Sequence, residues 1–459
     1  MNKKLSAERD PVGVAYIKGG KVYRDIHGEF QAYFSDILKQ VPVRSLLGKR
    51  LVPTQVSRST KDALTLEHPL LAPANYAYEW PLRMLQDAAV LTLDIALELL
   101  PAQTVLKDAT PWNILFDGPR PLWVDFTSLM PQEEDLLWVA YDQYLRTFLF
   151  PLLLGYYFGG RMSRALLLSS QNGIAPQEIS KVLPGSAKLK FSWLNSRLYL
   201  PKFMVDLARK SGQEKDLARR LSQKAAITTQ ARKAFFDSLR RDTLSLAFTS
   251  ARSDWSKYYE DINTFFKPGQ FTEKQKRVAQ ILEQCKPGTV VDIGCNQGGY
   301  AILAAQRGAR VTAFDNDEDS VSLLYQLARE KDLNILPLVG DVLYPAPQSG
   351  WRAVEFPAAP QRFRSAMALA LALTHHLAIT QVQTFERIVL TLSEYAEKWL
   401  LTEFVPIEDS HSQELLLTCR RDMGWYTLEH FLDALKKEFR QVTTYPSHPA
   451  GRTLCLCKR

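Results

Sequence analysis

Residues 286–315 read KPGTVVDIGCNQGGYAILAAQRGARVTAFD, and the 459-residue chain is organised around them. A Pro-Gly turn leads into an apolar, β-branched run at residues 289–293, the pattern of a strand buried on both faces. That run stops at Gly294. Gly298 and Gly299 then allow a sharp turn into a helix expected over residues 300–306. Gly308 ends the helix, residues 311–314 form a second strand, and Asp315 stands at its tip. An acid about 20 positions beyond the first loop glycine of a β-loop-α-β unit is the layout of a nucleoside-binding crevice.

The loop chemistry narrows the nucleoside. A dinucleotide site needs G-x-G-x-x-G, so that backbone can lie against a pyrophosphate. Here the loop is Gly294-Cys295-Asn296-Gln297-Gly298, with Asn296 in place of the middle glycine and Asp292 two residues before the first. A carboxylate there repels a pyrophosphate and suits a cationic ligand carrying an amino group. The segment resembles motif I of class I methyltransferases, D-x-G-x-x-x-G, which implies S-adenosylmethionine as cofactor. By that resemblance Asp292, Gly294, Cys295, Asn296 and Gly298 hold the methionine end. Asp315, followed by Asn316, takes the ribose hydroxyls, and Asp341 with Val342 faces the adenine. An NAD-binding or ligand-free Rossmann unit is the plainer alternative, but three acids at the ends of three successive expected strands weigh against it. The resemblance covers residues 255–459. It implies an α/β Rossmann-like fold with a mostly parallel seven-stranded sheet, the last strand antiparallel.

Ligands of open α/β sheets bind outside the carboxyl ends of the strands. A fourth strand is expected over residues 365–373, followed at once by Thr374-His375-His376-Leu377, and Glu403 is expected to end the next strand, residues 399–402. A hydroxyl acceptor must lose its proton, and a neutral histidine takes it near pH 7. His375 or His376 is therefore the candidate base, with Glu403 as its orienter or a substrate ligand; paired histidines that only cap or pack a helix are the competing reading. The Asn/Asp-Pro-Pro-Tyr turn of methyltransferases acting on adenine or glutamine is absent, which favours oxygen as acceptor. Tyr258 and Tyr259, ahead of motif I, are candidates for a lid over the cofactor, or for a docking helix that buries them.

The first half carries a second constellation. Residues 12–26 read as a hairpin around Lys18-Gly19-Gly20-Lys21, residues 29–39 as a helix, 51–56 and 63–67 as strands, and 82–100 as a long helix. Then comes Lys107-Asp108-Ala109-Thr110-Pro111-Trp112-Asn113, and Val124-Asp125-Phe126 after two apolar runs. This resembles the catalytic loop and metal-binding Asp of protein-kinase-like and aminoglycoside-phosphotransferase-like enzymes, implying a reduced α+β kinase-like domain. By that resemblance Asp108 is the base and Asn113 and Asp125 hold magnesium, with ATP bound only if the site is active. Several parts are missing. No histidine precedes Asp108, Asp125-Phe126-Thr127 lacks a glycine, and Lys21 and Glu29 are the best available Lys–Glu pair. The unit is therefore read as a substrate-binding or scaffolding module; a bifunctional kinase–methyltransferase and a non-catalytic cofactor-binding protein are the alternatives. The two halves together resemble bacterial nodulation-type methyltransferases and related fusions that modify glycans or secondary metabolites.

Composition sets outer limits. The chain is 46% hydrophobic and 23% charged, ordinary for a soluble globular protein. Two domains are expected, residues 1–245 and 246–459. Residues 1–10 are polar, so no secretory leader is expected, and the apolar run 148–158 is too short to span a bilayer. Five cysteines fall at 285, 295, 419, 455 and 457 without C-x-x-C spacing, which suggests neither zinc nor disulfides and fits the cytoplasm. Net charge is +8, with a basic run between Lys202 and Arg241 read as a solvated helix face. The expected partner is a small-molecule or glycan acceptor, with no nucleic acid; the oligomeric state is open.

Overall fold

The computed structural model describes residues 3–4, 10–60, 63–134, 136–200, 227–248, 261–419 and 422–459. The chain divides into two units: Met1–Leu71, Asn75–Leu115 and Pro121–Thr249 form the first, and Ala72–Ala74, Phe116–Arg120 and Ser250–Arg459 the second.

In the first unit, β1 (Lys3–Lys4), β2 (Gly13–Lys18), β3 (Lys21–Ile26), β4 (Gln55–Thr60) and β5 (Ala63–Pro69) form one antiparallel sheet, ordered β1-β2-β3-β5-β4. The β2–β3 hairpin turns at Gly19 and Gly20, both at positive φ, as the Gly-Gly signal requires. The helix Gly28–Ile37 buries Phe34 and Ile37. The long helix Leu82–Leu99 buries an apolar stripe that includes Met84, Leu85, Ala88, Leu91 and Ile95. Beyond it, β6 (Thr104–Leu106) pairs with β9 (Leu129–Pro131), and β7 (Ile114–Asp117) with β8 (Arg120–Trp123), a hairpin whose tip, Phe116–Arg120, counts with the second unit. A small antiparallel sheet, a long helix and two loop-bearing strand pairs make the kinase-like architecture expected from the sequence.

Three local expectations change. The strand expected at 51–56 begins later, at Gln55, and Leu51 makes only isolated bridges to Leu47 and Trp123. Lys21 pairs with Glu67 on the neighbouring strand β5 rather than with Glu29, because β3 and β5 run side by side. Arg232, assigned to a solvated basic face, is 2% exposed. Its guanidinium donates to the carbonyls of Glu133 and Glu134, at 2.6 and 2.9 Å, and to that of Leu136. A loop that turns its carbonyls inward needs such a donor. Of the basic run, residues 202–226 lie outside the described residues.

The second unit holds one seven-stranded sheet, ordered β12-β11-β10-β13-β14-β16-β15. Its strands are β10 (Thr289–Ile293), β11 (Arg310–Asp315), β12 (Ile335–Val339), β13 (Ser365–Ala370), β14 (Ala396–Phe404), β15 (Gln441–Pro446) and β16 (Thr453–Lys458). Strands β10 to β14 pair in parallel, and β16 is antiparallel to both of its neighbours. Val290, Val291, Ile293, Val311, Ala313, Met367 and Leu369 are buried, as strands covered on both faces demand. The observed sheet is the one expected. Its order reverses between β10 and β13, which opens a crevice at their carboxyl ends.

Candidate active site

The loop after β10 is held in a left-handed path: φ is +67° at Gly294, +51° at Asn296 and +78° at Gly298. Asparagine tolerates that region, and the Asn296 Oδ1 accepts from the Gln297 amide at 2.7 Å. Close packing leaves little room for a side chain at two glycines. A Cβ on Gly298 would lie 2.5 Å from Leu324 Cδ1, and one on Gly299 2.3 Å from the buried Phe265 ring. The amides of Gly294 and Cys295 donate to the Phe314 carbonyl, at 2.9 and 3.2 Å, which ties the loop to β11.

Parallel register then brings the acids together. Asp292 is cross-strand from Ala313, and Asp315 from Val339. The Asp315 carboxylate accepts from the Asn296 amide at 2.8 Å and the Asp317 amide at 2.9 Å. Burial still raises its pKa, because desolvation outweighs those two bonds. Asn316 beside it is exposed. Asp341, two residues past β12, accepts from the Leu343 and Tyr344 amides at 2.8 and 3.2 Å, and Val342 is buried. Asp292 differs from both. It is 3% exposed, its Oδ2 has no hydrogen-bond partner, and burial pushes its carboxyl up to about 7. A buried carboxylate oxygen without a donor is costly, and a cationic ligand removes the cost.

On the β13–β14 side the geometry departs from expectation. Glu403 lies inside β14 rather than at its end, and is fully buried. Its Oε2 meets Lys274 Nζ at 2.5 Å and the Ala372 amide at 2.9 Å, while Ser447 Oγ donates to Oε1 at 2.6 Å. That makes Glu403 an internal anchor rather than the orienter of a histidine. Strand β13 stops at Ala370, three residues short of the expected end. His375 and His376 follow in a short helical segment, with ring centroids 4.1 Å apart. His375 is 2% exposed and its Nδ1 has no partner. Burial, then the neighbouring ring, holds His375 down at about 2, and burial holds His376 at about 4. Both are neutral at physiological pH.

Sequence reasoning gave no role to Lys274 and passed over Ser447, Asp409 and Arg452. The last two form a buried bidentate pair, with Arg452 Nε 2.7 Å from Asp409 Oδ2 and Nη2 2.9 Å from Oδ1. Both charges bear on His375 electrostatically. An Asp and an Arg 43 positions apart leave no periodic trace in a sequence. Tyr258 and Tyr259 lie outside the described residues.

Over 406 residues the chain is 30% identical to the nodulation protein NoeA of Rhizobium meliloti (strain 1021), which covers 86% of this chain and 82% of that protein. The chain belongs to the NoeA family. The family described as "Tellurite resistance protein TehB" matches residues 243–342. A probable S-adenosyl-L-methionine-dependent methyltransferase TehB of Haemophilus influenzae is 33% identical over 64 residues, 14% of this chain and 21% of the relative. Among solved structures, TehB from Haemophilus influenzae aligns at 16% identity over 43% of this chain and 66% of that one, TM-score 0.30. The bifunctional kinase-methyltransferase WbdD aligns at 18% identity over 43% of this chain and 46% of that one, TM-score 0.29. With its family match and sheet order, this NoeA-family chain is an adenosylmethionine-dependent methyltransferase.

In the NoeA-family chain Asp108, Asn113 and Asp125 lie in the first unit. The Asp108 amide donates to Ser128 Oγ at 3.2 Å, and burial with the Asp125 charge raises its carboxyl. The Asn113 carbonyl accepts from the Val124 amide at 2.8 Å, which joins the two halves of the loop. Asp125 Oδ1 lies 3.0 Å from Arg24 Nη1.

Proposed function

We propose that the chain transfers a methyl group from S-adenosylmethionine to an oxygen of a small-molecule or glycan acceptor, with the kinase-like unit serving as a substrate-binding or scaffolding module. The observation that carries this reading is the buried, unpartnered Asp292 Oδ2 above a loop of left-handed residues. When bound, adenosylmethionine supplies the electrophilic methyl group. Asp292 and the loop 294–298, including Cys295, would hold its ammonium end, Asp315 with Asn316 the ribose, and Asp341 with Val342 the adenine. The Asp315 oxygens already accept from two amides, so they are fixed before any hydroxyl arrives.

His375 is the base in this reading, since its Nδ1 carries a lone pair or proton spent on no neighbour. His376, stacked beside it, is the second candidate. Oxygen is favoured because a hydroxyl acceptor needs a proton acceptor and these rings stay neutral. We assign residues 246–459 to methyl transfer and residues 1–245 to the accessory module. Among the described residues no helix is long and apolar enough to cross a membrane, and the five cysteines are free. The cytoplasm suits those thiols. The test is labelled-methyl transfer into extracts, followed by product mass and hydrolysis to distinguish ether or ester from amine. Product from wild type, strongly reduced with Asp292→Asn at subsaturating cofactor, is expected; a labelled amine removes the oxygen assignment, and no cofactor heat in calorimetry removes the whole reading.

A further inference from the structure

The fold of the first unit implies magnesium and ATP, and its residues do not fit them. We infer that Arg24 is a built-in cation that takes the magnesium position on Asp125, so this unit works without metal and without phosphoryl transfer. This goes beyond the methyl-transfer reading and does not depend on it.

Arg24 lies on β3, cross-strand from Ala15 and Leu66, and reaches over to the segment after β8. Its Nη1 is 3.0 Å from Asp125 Oδ1 and donates to Thr127 Oγ1 at 2.9 Å, while Nη2 donates to the Val124 carbonyl at 3.2 Å. One guanidinium thus holds three residues of the loop, Val124, Asp125 and Thr127, that would otherwise present Asp125 to a metal. Its side chain is 14% exposed and that of Asp125 is 17%, so solvent screens the pair weakly. A divalent ion at Asp125 would sit against a fixed positive charge. An ammonium can drift away on its stem, but a planar fork bonded at three acceptors cannot.

The neighbouring acids are spent in the same way. The Thr127 hydroxyl lies 2.6 Å from Asp125 Oδ1 and 2.7 Å from Asp10 Oδ2, and Lys107 Nζ is 3.2 Å from Asp10 Oδ1. Asp10, Asp108 and Asp125 face two protein cations, which leaves one net negative charge where two metal ions would need more. Among the described residues no group of three or more His, Cys, Asp or Glu side chains is placed to hold a metal ion. The lysine that should anchor phosphates is also misplaced, since Lys21 pairs with Glu67 at the exposed surface. Phosphoryl transfer relies on metal and lysine to neutralise developing charge, and both are replaced here by internal ion pairs.

Manganese titrated into the full chain and followed by the paramagnetic resonance of the free ion tests the claim directly. Wild type should retain no more manganese than Asp125→Asn; a tight equivalent present in wild type and lost in Asp125→Asn overturns the inference. In thermal unfolding, ATP should shift wild type equally with magnesium or with EDTA, including by zero. An ATP shift that requires magnesium overturns it as well. Arg24→Gln should lower Tm by several degrees, and Arg24→Gln/Asp125→Asn should recover at least half of that loss, because no uncompensated carboxylate remains. A double variant as unstable as Arg24→Gln alone shows that Arg24 does not act through Asp125.

Discussion

Lys274 and Glu403, 129 residues apart in sequence, meet at 2.5 Å with side chains 7% and 0% exposed. The lysine also lies over the Tyr300 ring at 5.2 Å, in the turn that follows the motif loop. The pair therefore pins the helix Glu273–Cys285 to β14, and its charge reaches Asp292. Removing one partner of such a pair leaves a bare buried charge, at a cost of about 3–5 kcal/mol. Lys274→Met and Glu403→Gln are each expected to lose stability on that scale in urea unfolding. Lys274→Met/Glu403→Gln should lose clearly less than the sum. Additive losses mean the two side chains are not coupled.

Cofactor affinity should depend on pH through Asp292. Its carboxyl sits at about 7, against an ordinary 3.8, because burial and the Asp315 charge raise it more than the Ala301 amide and Lys274 lower it. The folded protein thus holds a proton that the unfolded chain releases between those values. This group favours the fold near pH 4, and that contribution disappears as pH rises through 7. A bound ammonium needs the ionised form, so binding expels the proton. By linkage, affinity for S-adenosylmethionine should rise about tenfold per pH unit up to pH 7 and level off above it. Asp292→Asn should flatten that profile and weaken binding about 10- to 100-fold, the worth of a charge-assisted hydrogen bond. Calorimetry at pH 5.5, 6.5 and 8 reads both effects, and a flat wild-type profile would refute the assignment.

Gly299→Ala offers a packing test that leaves charge untouched. Its Cβ would come within 2.3 Å of Phe265, which is fully buried and stacks edge-on against Tyr300. The ring must shift, at about 1–3 kcal/mol for overpacking. Phe265→Leu in the Gly299→Ala background should restore part of the loss. Unfolding midpoints decide this, and a Gly299→Ala midpoint equal to wild type means the loop is looser than described.

Much of the second unit was legible because its physics is local. Thr289 to Asp315 carries strand, turn glycines, helix and acid in one short run, and Thr427 caps the helix Leu428–Glu438, accepting from the His430 amide. Pairs made by tertiary contact were not legible. Lys274 with Glu403, Asp409 with Arg452 and Arg24 with Asp125 each join distant segments, and nothing in the spacing of either partner names the other. Glu403 was misread for a related reason. Strand ends are set by ladder pairing, and β16 extends β14 through Phe404, which draws the acid into the sheet. Lys21 does not pair with Glu29 because strand order decides such pairs, and β5 lies beside β3.

Burial of His375 and His376 yields the most discriminating prediction about the chemistry. With pKa values held down at about 2 and 4 against an ordinary 6.5, each ring resists protonation in the fold. The unfolded chain takes up those protons first, so the contribution of both rings to stability is present above pH 6.5 and lost as pH falls, down to about 4 for His376 and about 2 for His375. In the enzyme, neither ring titrates between pH 6 and 8. With cofactor saturating, wild-type kcat should be flat across that range. A base this weak acts only on a proton already in a hydrogen bond to it, so its removal should cost at the low end of general-base effects, about 10²-fold in kcat. His375→Ala should show that loss while cofactor affinity stays within about twofold, since the ring is not among the groups assigned to the cofactor. Hydroxide then becomes the proton acceptor, and the residual kcat of His375→Ala should climb with pH from 7 to 9 while wild type does not. A His375→Ala enzyme with undiminished kcat and a flat profile assigns the proton to another group, and the same pair of measurements on His376→Ala shows whether its stacked neighbour takes that part.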